Sequence, residues 1–294
     1  MDIEPVEATF GAVVRGVDLR SIDGCTFDAI HEAWLEHALL IFPGQHLSRD
    51  EQNAFARRFG PLEFDAAPVT NIADDGTIET NPDTDLLKSV YGTHGWHHDS
   101  TFLPVQAKGA VFTAEIVPEG GADTRWADMR AGYDALDAET RDLIRGLSAH
   151  HSLHYSMGRA GLMPDETDDK YGYHDGEPPL RPLVKIHPET GRLSLNIGSH
   201  AHNVVGMDEA ASEHLLDRIN HASTRPPRVH QREWTPGDAA IWDNRCLMHQ
   251  GVPYDMTQPR RMWHSRIAGD PSSELALNYS PPPGSGPLDK PVIL

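Results

Sequence analysis

Apolar and polar residues alternate along this chain in short bursts rather than in long helical stripes. In residues 11–20, Val13, Val17 and Leu19 share one alternating face, and Ala38-Leu39-Leu40-Ile41-Phe42 is a brief apolar run closed by Pro43-Gly44. Both predict β structure early in the chain. Similar runs recur at residues 109–117, 183–187, 192–198, 239–242 and 262–268, rich in the branched residues that suit a pleated surface. Three segments carry the helical period instead. Ser48 and Glu51 have capping-box spacing, Phe55 and Phe59 lie four apart, and Gly60 offers a stop, so a helix is predicted over 49–59. Residues 128–146 and 208–222 open on Asp128 and Asp208, suited to helix N-termini, and the second sets Leu215, Leu216 and Ile219 on one stripe. Strands outnumber helices and do not alternate with them regularly. That order predicts a mainly β fold, an antiparallel core with flanking helices, and not a doubly wound sheet.

No shift in composition divides the 294 residues, so a single domain over 1–294 is expected, with a surface-hugging tail over about 271–294 marked by the Pro- and Gly-rich run from Ser280 to Pro287. The formal charge of −19 disfavours nucleic acid and anionic membranes as partners. Cys25 and Cys246 are too few for a disulfide framework or a thiolate zinc site, and the opening Met-Asp-Ile-Glu-Pro lacks the features of a signal peptide. No apolar run approaches the ~18 residues of a membrane span. A cytoplasmic protein is the expectation.

The 18 histidines invite metal or acid–base chemistry without locating it. Spacing narrows the field. His97 and Asp99 are two apart, so on a strand both side chains face one way and His98 the other. Imidazole and carboxylate on one face can take adjacent positions on a divalent metal, and His249, just after a predicted strand and turn, is the best candidate for a second imidazole. Two histidines and one carboxylate form the facial triad of non-haem Fe(II) oxygenases. An isolated H-x-D is common by chance, and the clusters His150-His151 with His154, and His200 with His202, are equally dense in histidine but lack a carboxylate arranged to complete a triad; they read as structural. On the residues alone, the site is a possible metal site for an unspecified metal.

Four ordered motifs sharpen this. Trp96-His97-His98-Asp99-Ser100-Thr101-Phe102, Gly120-Gly121-Ala122-Asp123-Thr124-Arg125-Trp126, Trp242-Asp243-Asn244-Arg245 with His249, and Arg260 followed by Gly269-Asp270 strongly resemble the taurine and 2,4-dichlorophenoxyacetate dioxygenases, the TauD/TfdA family. Within it, His187-Pro188-Glu189-Thr190-Gly191-Arg192 and Met262-Trp263-His264-Ser265-Arg266 resemble the bacterial aryloxyalkanoate (phenoxypropionate) dioxygenases. The resemblance spans residues 11–270. It implies a double-stranded β-helix (jelly-roll, cupin-like) core and an enzyme that uses Fe(II), 2-oxoglutarate and O2. It also implies that His97, Asp99 and His249 hold the iron, and that Thr124 and Arg260 meet the far carboxylate of 2-oxoglutarate. A halogenase relative would have a small residue at position 99; Asp99 favours hydroxylation.

Arginine suits that task because its planar fork gives a carboxylate two charge-assisted hydrogen bonds. Arg261 is the rival, but strand alternation turns it to the opposite face, while Arg260, Met262, His264 and Arg266 share one face. Where a taurine dioxygenase has an arginine for the sulfonate, this chain has His264, with Arg266 one inward step further. Ser100, His264, Arg266 and Lys88 are therefore the candidate contacts for a small anionic substrate, plausibly an aryloxyalkanoate cleaved to a phenol and a 2-oxoacid. A sulfonate or another small carboxylate is the alternative substrate, and a non-catalytic metal- and 2-oxoglutarate-binding jelly roll the alternative class. Asn244 and Arg245 could orient the metal ligands or merely shape a turn. A homo-oligomer is the expected assembly. Residues 228–266 carry six arginines against four acidic residues, a local +2 within the acidic chain, as an anion site requires.

Overall fold

The structure is a computed structural model that describes residues 1–167 and 170–281. Its larger sheet has seven strands in the order Asp2–Pro5, Ala12–Arg15, Leu39–Phe42, Ala239–Asp243, Gly109–Ile116, Arg261–Ile267 and Leu62–Thr70. Every neighbouring pair is antiparallel except Ala12–Arg15 with Leu39–Phe42. A smaller sheet sets Thr124–Asp128 between Val229–Arg232 and Leu247–Gly251. The two sheets face each other. Trp126 and Leu247 from the smaller pack against Phe112, Ala240, Trp242 and Met262 from the larger, giving the jelly-roll core with flanking helices that the sequence predicts.

Continuous apolar runs become strands buried on both faces. Leu39–Phe42 and Ala239–Asp243 lie side by side with every residue buried. The outer face is covered by the helices Gly24–His37 and Arg49–Arg57, through Ile30, Trp34, Phe55 and Ala56; burying each of the large apolar side chains contributes roughly 1.5–3 kcal/mol. The predicted capping box forms, with Ser48 and Glu51 each accepting the other's backbone N–H, at 3.3 and 2.8 Å respectively.

Three sequence expectations differ from the fold. Residues 128–146 form two helices, Met129–Asp134 and Ala138–Ile144, because Asp137 accepts the Thr140 N–H and starts a second helix. Only Ala12–Arg15 of residues 11–20 is strand, since Gly16, at φ +68°, turns the chain away. The first part of the expected tail is integral to the body: Pro271–Glu274 is a short helix, and buried Glu274 pairs with buried Lys185. The Pro- and Gly-rich remainder, 282–294, lies outside the described residues. Among the described residues no helix is long and apolar enough to cross a membrane.

Candidate active site

His249 sits in the strand Leu247–Gly251, opposite Trp126. His97 joins it through an isolated antiparallel bridge, each backbone N–H donating to the other's carbonyl at 3.0 and 2.9 Å, which brings the rings to 4.2 Å. Asp99 does not continue a strand. It opens a turn whose next residue, Ser100, has φ +58°. The side chains nevertheless converge: ligand atoms of His97, Asp99 and His249 all lie within 4.8 Å of one another, and all three residues are buried. His98 turns away, Nδ1 bonding to the Asn244 carbonyl at 2.8 Å.

The electrostatics suit a cation. His97 Nδ1 meets the Gly95 carbonyl at 2.7 Å, a bond it makes as an N–H donor, so Nε2 keeps a free lone pair. Burial lowers the pKa of both His97 and His249, keeping the rings neutral. Burial pushes the Asp99 carboxyl up, but its neighbours, the Arg266 guanidinium foremost, outweigh it and hold the group well below the usual carboxylate range. Asp99 Oδ1 accepts from Arg266 at 2.7 Å, whereas buried Oδ2 has no hydrogen-bond partner. An orphaned carboxylate oxygen beside two neutral imidazoles is costly until a metal fills the space. Two nitrogens and one oxygen fit ferrous iron and leave positions open for cosubstrate and O2.

Arg260 immediately precedes the strand Arg261–Ile267, and Thr124 opens the strand beside that of His249. The Arg260 guanidinium is buried, lies 5.7 Å from the Tyr254 ring centre, and makes no hydrogen bond or ion pair among the described residues; Nε is orphaned. Burial pulls its pKa down to about 10, the mark of a cation lacking its anion. The end carboxylate of a bound dicarboxylate would supply it. Arg261 takes the opposite face and pairs with Glu115 at 3.7 Å, so alternation separates the two arginines as expected. The Thr124 hydroxyl accepts from Trp234 Nε1 at 2.9 Å, which leaves its own proton to give.

A cavity of about 410 Å³ is lined by His97 and Asp99 of the candidate triad. Of the candidate substrate contacts, His264, Arg266 and Lys88 line it, while Ser100 lies fully buried behind Arg266, its Oγ 3.2 Å from that guanidinium. His264 Nε2 is 3.5 Å from Asp99 Oδ2, and burial followed by Arg266 lowers its pKa. Both terminal nitrogens of Arg266 are engaged, one on Asp99 and the other on Ser100 and Tyr171. The cavity also holds His200, which the sequence reading assigns to a structural role: Nδ1 bonds Ser156 at 2.8 Å and its ring lies 4.9 Å from Phe102. Nothing in the local spacing of His200 and His202 marks the difference, because the wall it joins comes from distant segments. Tyr171 and Glu63 were likewise not legible.

Residues 2–266 match the family model described as Taurine catabolism dioxygenase TauD, TfdA family. The chain belongs to that family. It is 56% identical over 282 residues to the (S)-phenoxypropionate/alpha-ketoglutarate-dioxygenase of Sphingobium herbicidovorans, covering 95% of this chain and 98% of that protein. With the enzyme of the same name from Delftia acidovorans it shares 50% over 285 residues, 94% and 98% of the two chains. The crystal structure of AAD-2 in complex with Mn(II) and N-oxalylglycine superposes with a TM-score of 0.87 at 34% identity, covering 95% of this chain and 100% of that one. The protein is accordingly an Fe(II)- and 2-oxoglutarate-dependent dioxygenase, and the non-catalytic reading falls away.

This TauD/TfdA enzyme braces Asp99 from a neighbouring turn. Asn244 accepts the Asp99 N–H at 2.7 Å and donates to the carbonyls of Asp99 and Ala107 at 3.0 and 2.9 Å. Arg245 plays a different part: it grips Asp243 through two nitrogens at 2.8 and 2.6 Å and also pairs with Glu189. His187, Asp243 and Cys246 form a second buried trio, but the Asp243 oxygens are taken by Arg245 and His187. Burial, then Asp243, pushes the Cys246 thiol up, so the trio is an ion-pair brace and no metal centre.

Proposed function

We propose that the enzyme hydroxylates an aryloxyalkanoate at the carbon beside the ether oxygen, giving a hemiacetal-type product that collapses to a phenol and a 2-oxoacid. With Fe(II) held by His97, Asp99 and His249, and 2-oxoglutarate held at its far end by Arg260 and Thr124, the centre supplies the oxidative chemistry that releases succinate and CO2. The observation that carries the reading is one cavity, reached by His97 and Asp99, that is lined both by the apolar side chains of Phe64, Phe102, Leu153 and Met157 and by Lys88. An aryl ring needs the first, a carboxylate the second. The (S)-phenoxypropionate named in the two relatives above 50% or at it has both parts.

Lys88 is the anchor we assign to the substrate carboxylate. Its ammonium lies 3.1 Å from Asp165, whose side chain is 89% exposed, so a substrate carboxylate displaces a well-hydrated partner at little cost. His264 and Arg266 bound the side nearer the metal; Arg266, with its fork engaged and Ser100 behind it, contributes positive potential. Lys88→Met should raise the Michaelis constant for a phenoxypropionate roughly tenfold, the loss of one charge-assisted hydrogen bond of about 1.5 kcal/mol, and leave that for 2-oxoglutarate unchanged. Succinate release measures both. An unaltered constant removes Lys88 from the site, and turnover of sulfonates but of no aryloxyalkanoate overturns the substrate class.

We place the enzyme in the cytoplasm, in keeping with free thiols at exposed Cys25 and buried Cys246, and expect a homo-oligomer, which sedimentation equilibrium would reveal as a multiple of the chain mass.

A further inference from the structure

Four side chains from four parts of the chain meet behind the metal ligand. Ser100 follows Asp99 directly. Arg266 comes from the large sheet, Glu63 from the strand Leu62–Thr70, and Tyr171 from the segment between the helix Leu153–Ala160 and the strand Leu180–Pro182. The Tyr171 hydroxyl lies 2.9 Å from both Arg266 and Ser100 Oγ and also reaches Glu63, while Ser100 Oγ donates to Glu63 at 3.0 Å. Arg266 then passes to Asp99 Oδ1 at 2.7 Å.

We propose that Tyr171 is a positioning residue for the metal centre: its phenol, anchored by Glu63, holds the Arg266 guanidinium so that Asp99 presents only Oδ2 to the metal. Two observations beyond the contacts point this way. Ser100 adopts φ +58°, a left-handed conformation uncommon outside glycine, asparagine and aspartate. Such a conformation persists only where its surroundings over-determine it, and here its hydroxyl is bonded to Arg266, Glu63 and Tyr171 at once. The turn that aims Asp99 is therefore held by the same network as the carboxylate itself. The second is the division of labour on Asp99: Oδ1 accepts from Arg266 while Oδ2 has no hydrogen-bond partner, which leaves one oxygen free to ligate. Without Tyr171 the guanidinium loses one of its tethers, can tilt toward the cavity, and frees Asp99 to rotate or to offer both oxygens.

Because Tyr171 also lines the cavity, a wall residue for the substrate is thereby tied to the metal. A role confined to substrate packing would act on the substrate alone, and the distinction is measurable. Tyr171→Phe keeps the ring and removes the hydroxyl. Expected are a three- to tenfold weaker dissociation constant for Mn(II) titrated into metal-free protein, smaller than the tenfold or more typical of losing a direct second partner of a ligand, and a lower kcat. More 2-oxoglutarate should be consumed per substrate hydroxylated, with its Michaelis constant unchanged. Glu63→Gln, one link further out, should move Mn(II) affinity in the same direction by less, and serves as the test should Tyr171→Phe fold poorly. Overturning the proposal is Mn(II) affinity and coupling ratio at their original values in both variants, whatever happens to the substrate Michaelis constant.

Discussion

Arg260 and Arg261 are adjacent in sequence and opposite in fate. Arg260 turns inward, buried and without a carboxylate among the described residues, while Arg261 turns outward to Glu115. Arg260→Ala should raise the 2-oxoglutarate Michaelis constant tenfold or more, since a charge-assisted pair in a buried site is worth about 1.5–3 kcal/mol; Arg261→Ala should leave it within twofold. Initial rates of succinate formation decide, and the reverse pattern would transfer the role to Arg261. This residue-level choice was legible because strand alternation is a local rule. Tyr171, Glu63 and His200 were not, because nothing in their own neighbourhoods distinguishes a wall of the cavity from a surface or a packed core.

Among the elements, the turn between the strands Ala239–Asp243 and Leu247–Gly251 does more than reverse the chain. Its Asn244 side chain makes three hydrogen bonds to the backbone of Asp99 and Ala107. Asn244→Ala would strand three buried backbone groups, each costing about 1–3 kcal/mol. Urea unfolding should show at least about 2 kcal/mol lost, with weaker Mn(II) binding; retention of both would reduce Asn244 to a turn former. The capping box at Ser48 was readable, as were the strands whose apolar runs are buried on both faces. The break within residues 128–146 escaped the periodicity, although Asp137 and Thr140 carry their own N-cap signal. The H-x-D spacing brings His97 and Asp99 together without the expected strand: Asp99 lies in a turn beside a single bridge.

At the scale of the molecule, Arg181 ties three distant stretches together. It donates to the carbonyls of Thr101, Leu103 and Glu274 at 2.7, 2.6 and 3.0 Å, so the segment after the metal ligands is clamped to the C-terminal stretch that composition assigns to a tail. Arg181→Met removes all three donors in a buried site and should cost about 3 kcal/mol, seen as a fall of several degrees in Tm; an unchanged Tm would mean water replaces the guanidinium. The charge balance sharpens in the same way. Of the six arginines in 228–266, Arg232, Arg245, Arg261 and Arg266 have carboxylate partners and Arg228 bonds to backbone carbonyls, so the local +2 resolves into one unpaired inward charge, Arg260. By itself the sequence determined the residue types of the candidate triad, their local spacing, the sheet-rich class and the inward face shared by Arg260, Met262, His264 and Arg266, because those depend on periods of two to four residues. Only the tertiary structure decided which Asp99 oxygen is bare, which wall residues reach it and that Pro271–Glu274 belongs to the body, because those contacts join positions tens to hundreds of residues apart, where no local period can carry the information.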